Sequence, residues 1–146
     1  MVLNISRFLT LFYVIFLEVE HLDKSRYFYR TVVFAKLKDK VMLVDLNDPE
    51  KEVPPLEPWL GLAISLADGQ HTIQQLLDYM TDHYGGNPPD NLEKTIESVI
   101  ERLTKNETIK LTEKAHALPY YLSRSADKLD IDMAKQAMAD DGYHQG

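Results

Sequence analysis

The chain has 146 residues, a length that suits one domain, or one small domain with appendages, able to bury a core without staples. It contains no cysteine, which excludes disulfides, thiolate zinc sites, iron–sulfur clusters and a cysteine nucleophile, and which fits a reducing cytoplasm. Its formal net charge of −7 argues against general nucleic-acid binding, because such proteins need a concentrated basic surface.

Residues 8–17 are the cleanest apolar run near the N-terminus, and they are too few to span a bilayer comfortably. A signal peptide would want a basic start and small residues at a cleavage site. Arg7 is the only early cation here, and Glu18, Glu20 and His21 stand where small residues should be. A buried strand or sticky helix is the plainer expectation, and the aromatic and β-branched content of the run favours a strand.

Asp23, Lys24 and Ser25 make a polar break. Residues 26–37 then read as one strand, with Tyr27, Tyr29, Thr31 and Val33 on one face and Phe28, Arg30, Val32 and Phe34 on the other. Both faces are largely apolar, so this strand is expected in the centre of a sheet. Lys38, Asp39 and Lys40 predict a hairpin turn into a strand over 41–46, closed by the turn at 47–50. The next piece, 52–56, carries Pro54 and Pro55. Two lost backbone donors limit it to an edge strand or a polyproline-like lead-in.

Pro58 suits a first helical turn, and Trp59, Leu60, Leu62, Ala63, Ile64 and Leu66 make a short, nearly all-apolar core helix. Trp59 is expected to be core rather than a binding platform. Asp68 and Gly69 can end that helix while Thr72 caps a second over 73–84, in which Ile73, Leu76, Leu77 and Met80 repeat at helical spacing. Gly85, Gly86, Pro88 and Pro89 stop it. A third helix is predicted from about Asp90 to Lys105, with Leu92, Ile96, Val99, Ile100 and Leu103 along one face, and 108–111 returns as a wing strand. Beyond Pro119, residues 125–141 offer a weaker helix with Leu129, Met133 and Ala137 in one row, ending at Gly142.

The predicted class is therefore α+β: an antiparallel sheet of three or four strands followed by a three-helix winged helix-turn-helix unit. The chain divides accordingly into three segments: an apolar extension over 1–25, supplying an extra strand or helix; the winged-helix domain over 26–114; and a C-terminal extension over 115–146.

Catalytic equipment is not visible. His21, His71, His83, His116 and His144 fall in separate elements without metal-ligand spacing, so scattered surface histidines are the expectation and no metal or cofactor is predicted. Glu93, Glu97 and Glu101 form one acidic column at i, i+4 spacing on the third helix, relieved in part by Lys94 and Arg102. In a DNA-reading winged helix that face would meet phosphates, so the column counts against nucleic acid and leaves room for a peptide or protein. A sheet edge at 52–56 beside the third helix would offer backbone groups to an extended peptide. An ordinary domain edge blunted by prolines explains the same residues and, on physics alone, is the favoured account.

The run Leu56-Glu57-Pro58, the apolar helix from Trp59, then Asp68-Gly69 and Thr72-Ile73-Gln74-Gln75-Leu76 resembles the PqqD-like family, and the resemblance covers residues 27–111. It implies a recognition element of ribosomally synthesised, post-translationally modified peptide pathways: a noncatalytic peptide-binding chaperone that holds a precursor's leader and presents the core segment to a modifying enzyme. Radical S-adenosylmethionine enzymes are partners of the founding type. The family adds the leader as a strand against its third strand beside its third helix. By position, Val53, Leu56, Ile96 and Ile100 would line the apolar pocket, and Glu93 and Glu97 would select basic leader residues. Pro54 and Pro55 depart from the pattern by removing donors from that strand. The expected biosynthetic protein is cytoplasmic and binds neither nucleic acid nor membrane, with a homodimer left open. The alternatives are a winged-helix transcriptional regulator and a structural or oligomerisation subunit.

Overall fold

The computed structural model describes residues 22–48 and 50–144. The strand expected over 8–17, and the extension to which it belongs, lie outside the described residues except for 22–25.

The fold is α+β. Strand β1 (Tyr27–Arg30) is the centre of a three-stranded antiparallel sheet of order β4-β1-β5, with β4 at Asp68–Thr72 and β5 at Ile109–Thr112. It alternates strictly: Phe28 and Arg30 are buried, while Tyr27 and Tyr29 are half-buried.

The single strand expected over 26–37 is in fact two. Thr31 turns the chain by donating its hydroxyl to the carbonyls of Glu107 and Thr108, and its own N–H bonds Thr108 O at 2.9 Å. Past this turn the chain forms a separate two-stranded sheet, β2 (Phe34–Leu37) with β3 (Lys40–Leu43), joined by a two-residue turn in which Lys38 takes the left-handed conformation at φ 58°. Apolar content on both faces had masked the break. The hairpin separates two cores, because Phe34 and Val41 face one way and Ala35 and Met42 the other.

The first core holds the three-helix unit. Helix α1 (Pro58–Leu66) places Pro58 in its first turn, where a missing N–H costs nothing. Helix α2 (Ile73–His83) starts at Thr72 in a full capping box: Gln75 N–H donates to Thr72 Oγ1 at 3.2 Å, and Thr72 N–H donates to Gln75 Oε1 at 2.8 Å. Helix α3 (Leu92–Lys105) buries the five residues its periodicity selected, Leu92, Ile96, Val99, Ile100 and Leu103. The segment between α1 and α2 is not a bare helix junction but strand β4. Gly69 enters it at φ +79°, and a Cβ there would clash with the His116 carbonyl. His116 N–H bonds Gly69 O at 2.8 Å, so the chain after β5 laces the outer edge of β4.

The second core is made by the C-terminal residues. Tyr121, Leu122, Ala126 and Leu129, on two short 3-10 turns and their flanks, pack with helix α4 (Ile131–Asp141) against Val33, Ala35 and Leu46. Asp130 caps α4 by accepting from Met133 N–H at 3.1 Å, and Gly142 ends it in the left-handed conformation. The face differs from the row Leu129, Met133, Ala137. Leu129 precedes the helix and so cannot set its phase; Ala134 and Met138 point inward, and Met133 is 58% exposed.

Arg30 joins the two cores. The residue is 1% exposed, and its guanidinium donates to Leu122 O at 2.8 Å, Ile64 O at 3.2 Å and Ser65 O at 3.3 Å, over the Phe34 ring at 4.3 Å. Two of those carbonyls belong to the last turn of α1, where the helix dipole favours a cation. Burial pulls the guanidinium down to about 10, which leaves it protonated at neutral pH. Among the described residues, no helix is long and apolar enough to cross a membrane.

Candidate functional site

The residues expected to line a groove do not share one. Ile96 and Ile100 are each 1% exposed, enclosed in the first core with Phe28, Ile64 and Leu76. They present no surface for a ligand, because the strongest apolar stripe of α3 is the one the fold uses to bury it. Glu93 is exposed and forms an ion pair with Lys24, so its charge is engaged within the chain. Glu97 is half-buried on the same helix. Residues 52–56 make no strand: Val53 is half-buried, and the segment's bond to the hairpin is Leu56 N–H to Val41 O at 2.8 Å. The two prolines act as expected of a lead-in that cannot ladder.

Leu56 nonetheless borders a cleft, on a different side of the molecule. The hollow has a volume of about 580 Å³ and lies between the β2–β3 hairpin, the lead-in to α1, and the last turns of α2. Its floor exists because Gly61 lets α1 approach β3 closely: a Cβ at that position would stand 2.9 Å from Val41 Cβ. Pro55, Leu56 and Pro58 form one wall. Trp59 and Tyr84 stack with ring centroids 6.0 Å apart, and His83 meets Tyr84 edge-on at 5.6 Å. Helix α3 contributes none of the lining.

Trp59 therefore has two roles, packing on the first core from one side and lining the cleft from the other. Tyr84 reaches it as the C-cap of α2, held by its N–H to the Met80 and Thr81 carbonyls while Gly85 N–H bonds the Asp82 carbonyl. Tyr79 and Tyr84 are 50% and 39% exposed, so both rings keep a free face toward the cleft and solvent. Neither tyrosine is among the residues expected from the sequence to line a site. The available signal was the position of Tyr79 on the polar side of α2, where a helix facing only water has no need of an aromatic, and of Tyr84 four residues past Met80, one turn beyond the buried row.

A second hollow of about 420 Å³ adjoins the first, sharing Lys36, Leu62, Ser65 and Tyr79 and adding Arg124 and Lys128 from the C-terminal residues. Ser125 fixes that junction: its hydroxyl accepts Lys36 N–H at 2.8 Å on the outer edge of β2 and donates to Asp127 Oδ1. The mixture of apolar walls, stacked rings and a few polar groups is the make-up of a site that binds by shape and desolvation. Among the described residues, no group of three or more His, Asp or Glu could hold a metal ion.

Compared with protein-family profiles, curated proteins and solved structures, the chain matches none.

Proposed function

We propose that this chain is a noncatalytic peptide-binding chaperone of the cytoplasm, which holds the leader of a precursor peptide and presents the rest to a modifying enzyme. A radical S-adenosylmethionine enzyme is one partner of the kind that the PqqD-like resemblance of residues 27–111 implies. The observation that carries the reading is the cleft itself, an open apolar hollow with two large rings exposed on its wall. Such a surface gains from covering and offers side-chain pockets to an extended chain.

The order of elements, a hairpin followed by a capped three-helix unit, supports the same reading. The docking mode differs from strand addition against residues 52–56. Apolar ligand side chains would enter the Trp59–Tyr84 hollow, and the α3 stripe would stay in the core. Holding one end of a substrate raises its effective concentration at an enzyme bound nearby, which accelerates modification without any chemistry from the holder.

Calorimetry with the precursor encoded beside this gene, alone and with the enzyme encoded there, tests the proposal. Binding in the micromolar range, on the order of 8 kcal/mol, is expected. Trp59→Ala together with Tyr84→Ala should weaken it by roughly tenfold or more. Absence of heat in both settings would sink the proposal.

A further inference from the structure

The cleft carries a charge signature that runs against the chain as a whole. In a protein of net charge −7, the hairpin and the C-terminal residues bring Lys36, Lys38, Lys40, Arg124 and Lys128 to the rim of the two adjoining hollows. All five are exposed. Asp39 and Asp127 are the carboxylates among the lining residues, and Asp127 already accepts the Ser125 hydroxyl. The ion pairs among the described residues are Lys24–Glu93, His71–Asp68 and Lys105–Glu101, and none involves these five cations.

Among the described residues, the rim cations are therefore left without a carboxylate partner. Like charges gathered on one side repel in the free protein, and an anionic ligand relieves that repulsion while its own charge is steered toward the site. Next to them lie the Trp59–Tyr84 stack and exposed Tyr79, which ask for an apolar group.

We infer that the cleft selects an acidic peptide segment, one that seats an aliphatic or aromatic side chain between Trp59 and the lead-in prolines while its carboxylates meet the lysine rim. This rests on the cleft being a peptide site, and it replaces the selection of basic residues by Glu93 and Glu97. A nucleic acid would share the anionic character, but the five cations are split between a hairpin tip and a C-terminal turn and border an apolar hollow, which suits intermittent carboxylates around an apolar anchor better than a continuous phosphate track.

Trp59 is the chain's single tryptophan, so its emission reports occupancy of the cleft in the full-length protein without a label. The probes are synthetic peptides of roughly ten residues with the same Leu and Phe anchors, flanked by Asp and Glu, by Lys, or by Ser, and a single-stranded oligonucleotide of matching charge. At an ionic strength of about 0.05 M the acidic peptide should shift Trp59 emission and bind roughly tenfold tighter than the lysine peptide, and the gap should close at about 0.5 M. Lys36→Glu combined with Lys40→Glu should invert the order, and the Lys36→Gln, Lys40→Gln pair should flatten it; both sites are exposed, and a thermal melt verifies the fold. Equal binding of the three peptides would overturn the charge selection and leave the peptide site standing. No emission change with any peptide would overturn both. Tighter binding of the oligonucleotide than of the acidic peptide would overturn the inference in favour of a nucleic-acid surface.

Discussion

The two cores flanking the β2–β3 hairpin are held together by different means. The first is aliphatic and almost dry: Phe28, Ala63, Ile64, Ile73 and Leu76 show no exposed surface. The second is built around tyrosines whose hydroxyls are tied down, one of them across the chain to Thr31. Tyr121 donates to Asp141 at 3.0 Å, Tyr143 donates to the Thr31 carbonyl, and Tyr120 accepts Asp130 N–H at 2.7 Å. Helix periodicity supplies most of the first core's side chains, whereas the second is assembled by short 3-10 turns and hydroxyl bonds that leave no periodic pattern. Arg30 belongs to both, with donors on α1 and on Leu122. The cleft spans this seam, taking its walls from the first core's helices and its second hollow from the C-terminal residues.

The largest effect should come from breaking the seam. Arg30→Ala removes three donors from buried or part-buried carbonyls and opens a cavity, so a loss of about 3–5 kcal/mol in urea unfolding is expected. A loss below about 1 kcal/mol would show that water or repacking replaces the guanidinium easily. Next in size, Ile96→Ala in the first core should cost about 3 kcal/mol and exceed Met138→Ala in the second, whose flexible thioether side chain leaves a site better able to collapse. The reverse order would place the stability of the molecule in its C-terminal core.

The smallest effect is a pH dependence. Burial and then the Asp141 carboxylate push the Tyr121 hydroxyl up to about 12. A folded value above the unfolded one means that the folded state keeps its proton longer. The stability supplied by neutral Tyr121 is thus complete below about pH 10 and lost between about 10 and 12. Tyr121→Phe should be less stable than the parent by about 1 kcal/mol at neutral pH, and the difference should shrink or reverse as pH rises through that window. Comparing parent with variant cancels the opposite contribution of Arg30, whose folded value is lowered.

The difference between the cores also explains what could be read in the sequence. The capping residues around Thr72 and the apolar stripe of α3 lie within a few turns of one another, so spacing alone located them. Strand β4 was hidden because Asp68, Gly69, Gln70 and His71 show no apolar alternation; it forms since β1 lies beside it and His116 laces its far edge. The burial of Arg30 had no local sign, as its partners are carbonyls rather than a carboxylate. At the cleft, Leu56 and Trp59 were visible as apolar neighbours in sequence. Their company was not, because Tyr79, Tyr84 and the lysines of the hairpin arrive from separate elements.

Amide chemical-shift mapping with the acidic peptide tests the central claim most directly. The account predicts that perturbations concentrate on β3, the first turn of α1 and the last turn of α2, with the Trp59 indole N–H among the strongest, and that the Glu93 and Glu97 face of α3 stays unchanged. Perturbations confined to α3 and residues 52–56 would contradict it and return the binding site to the groove that the sequence first suggested.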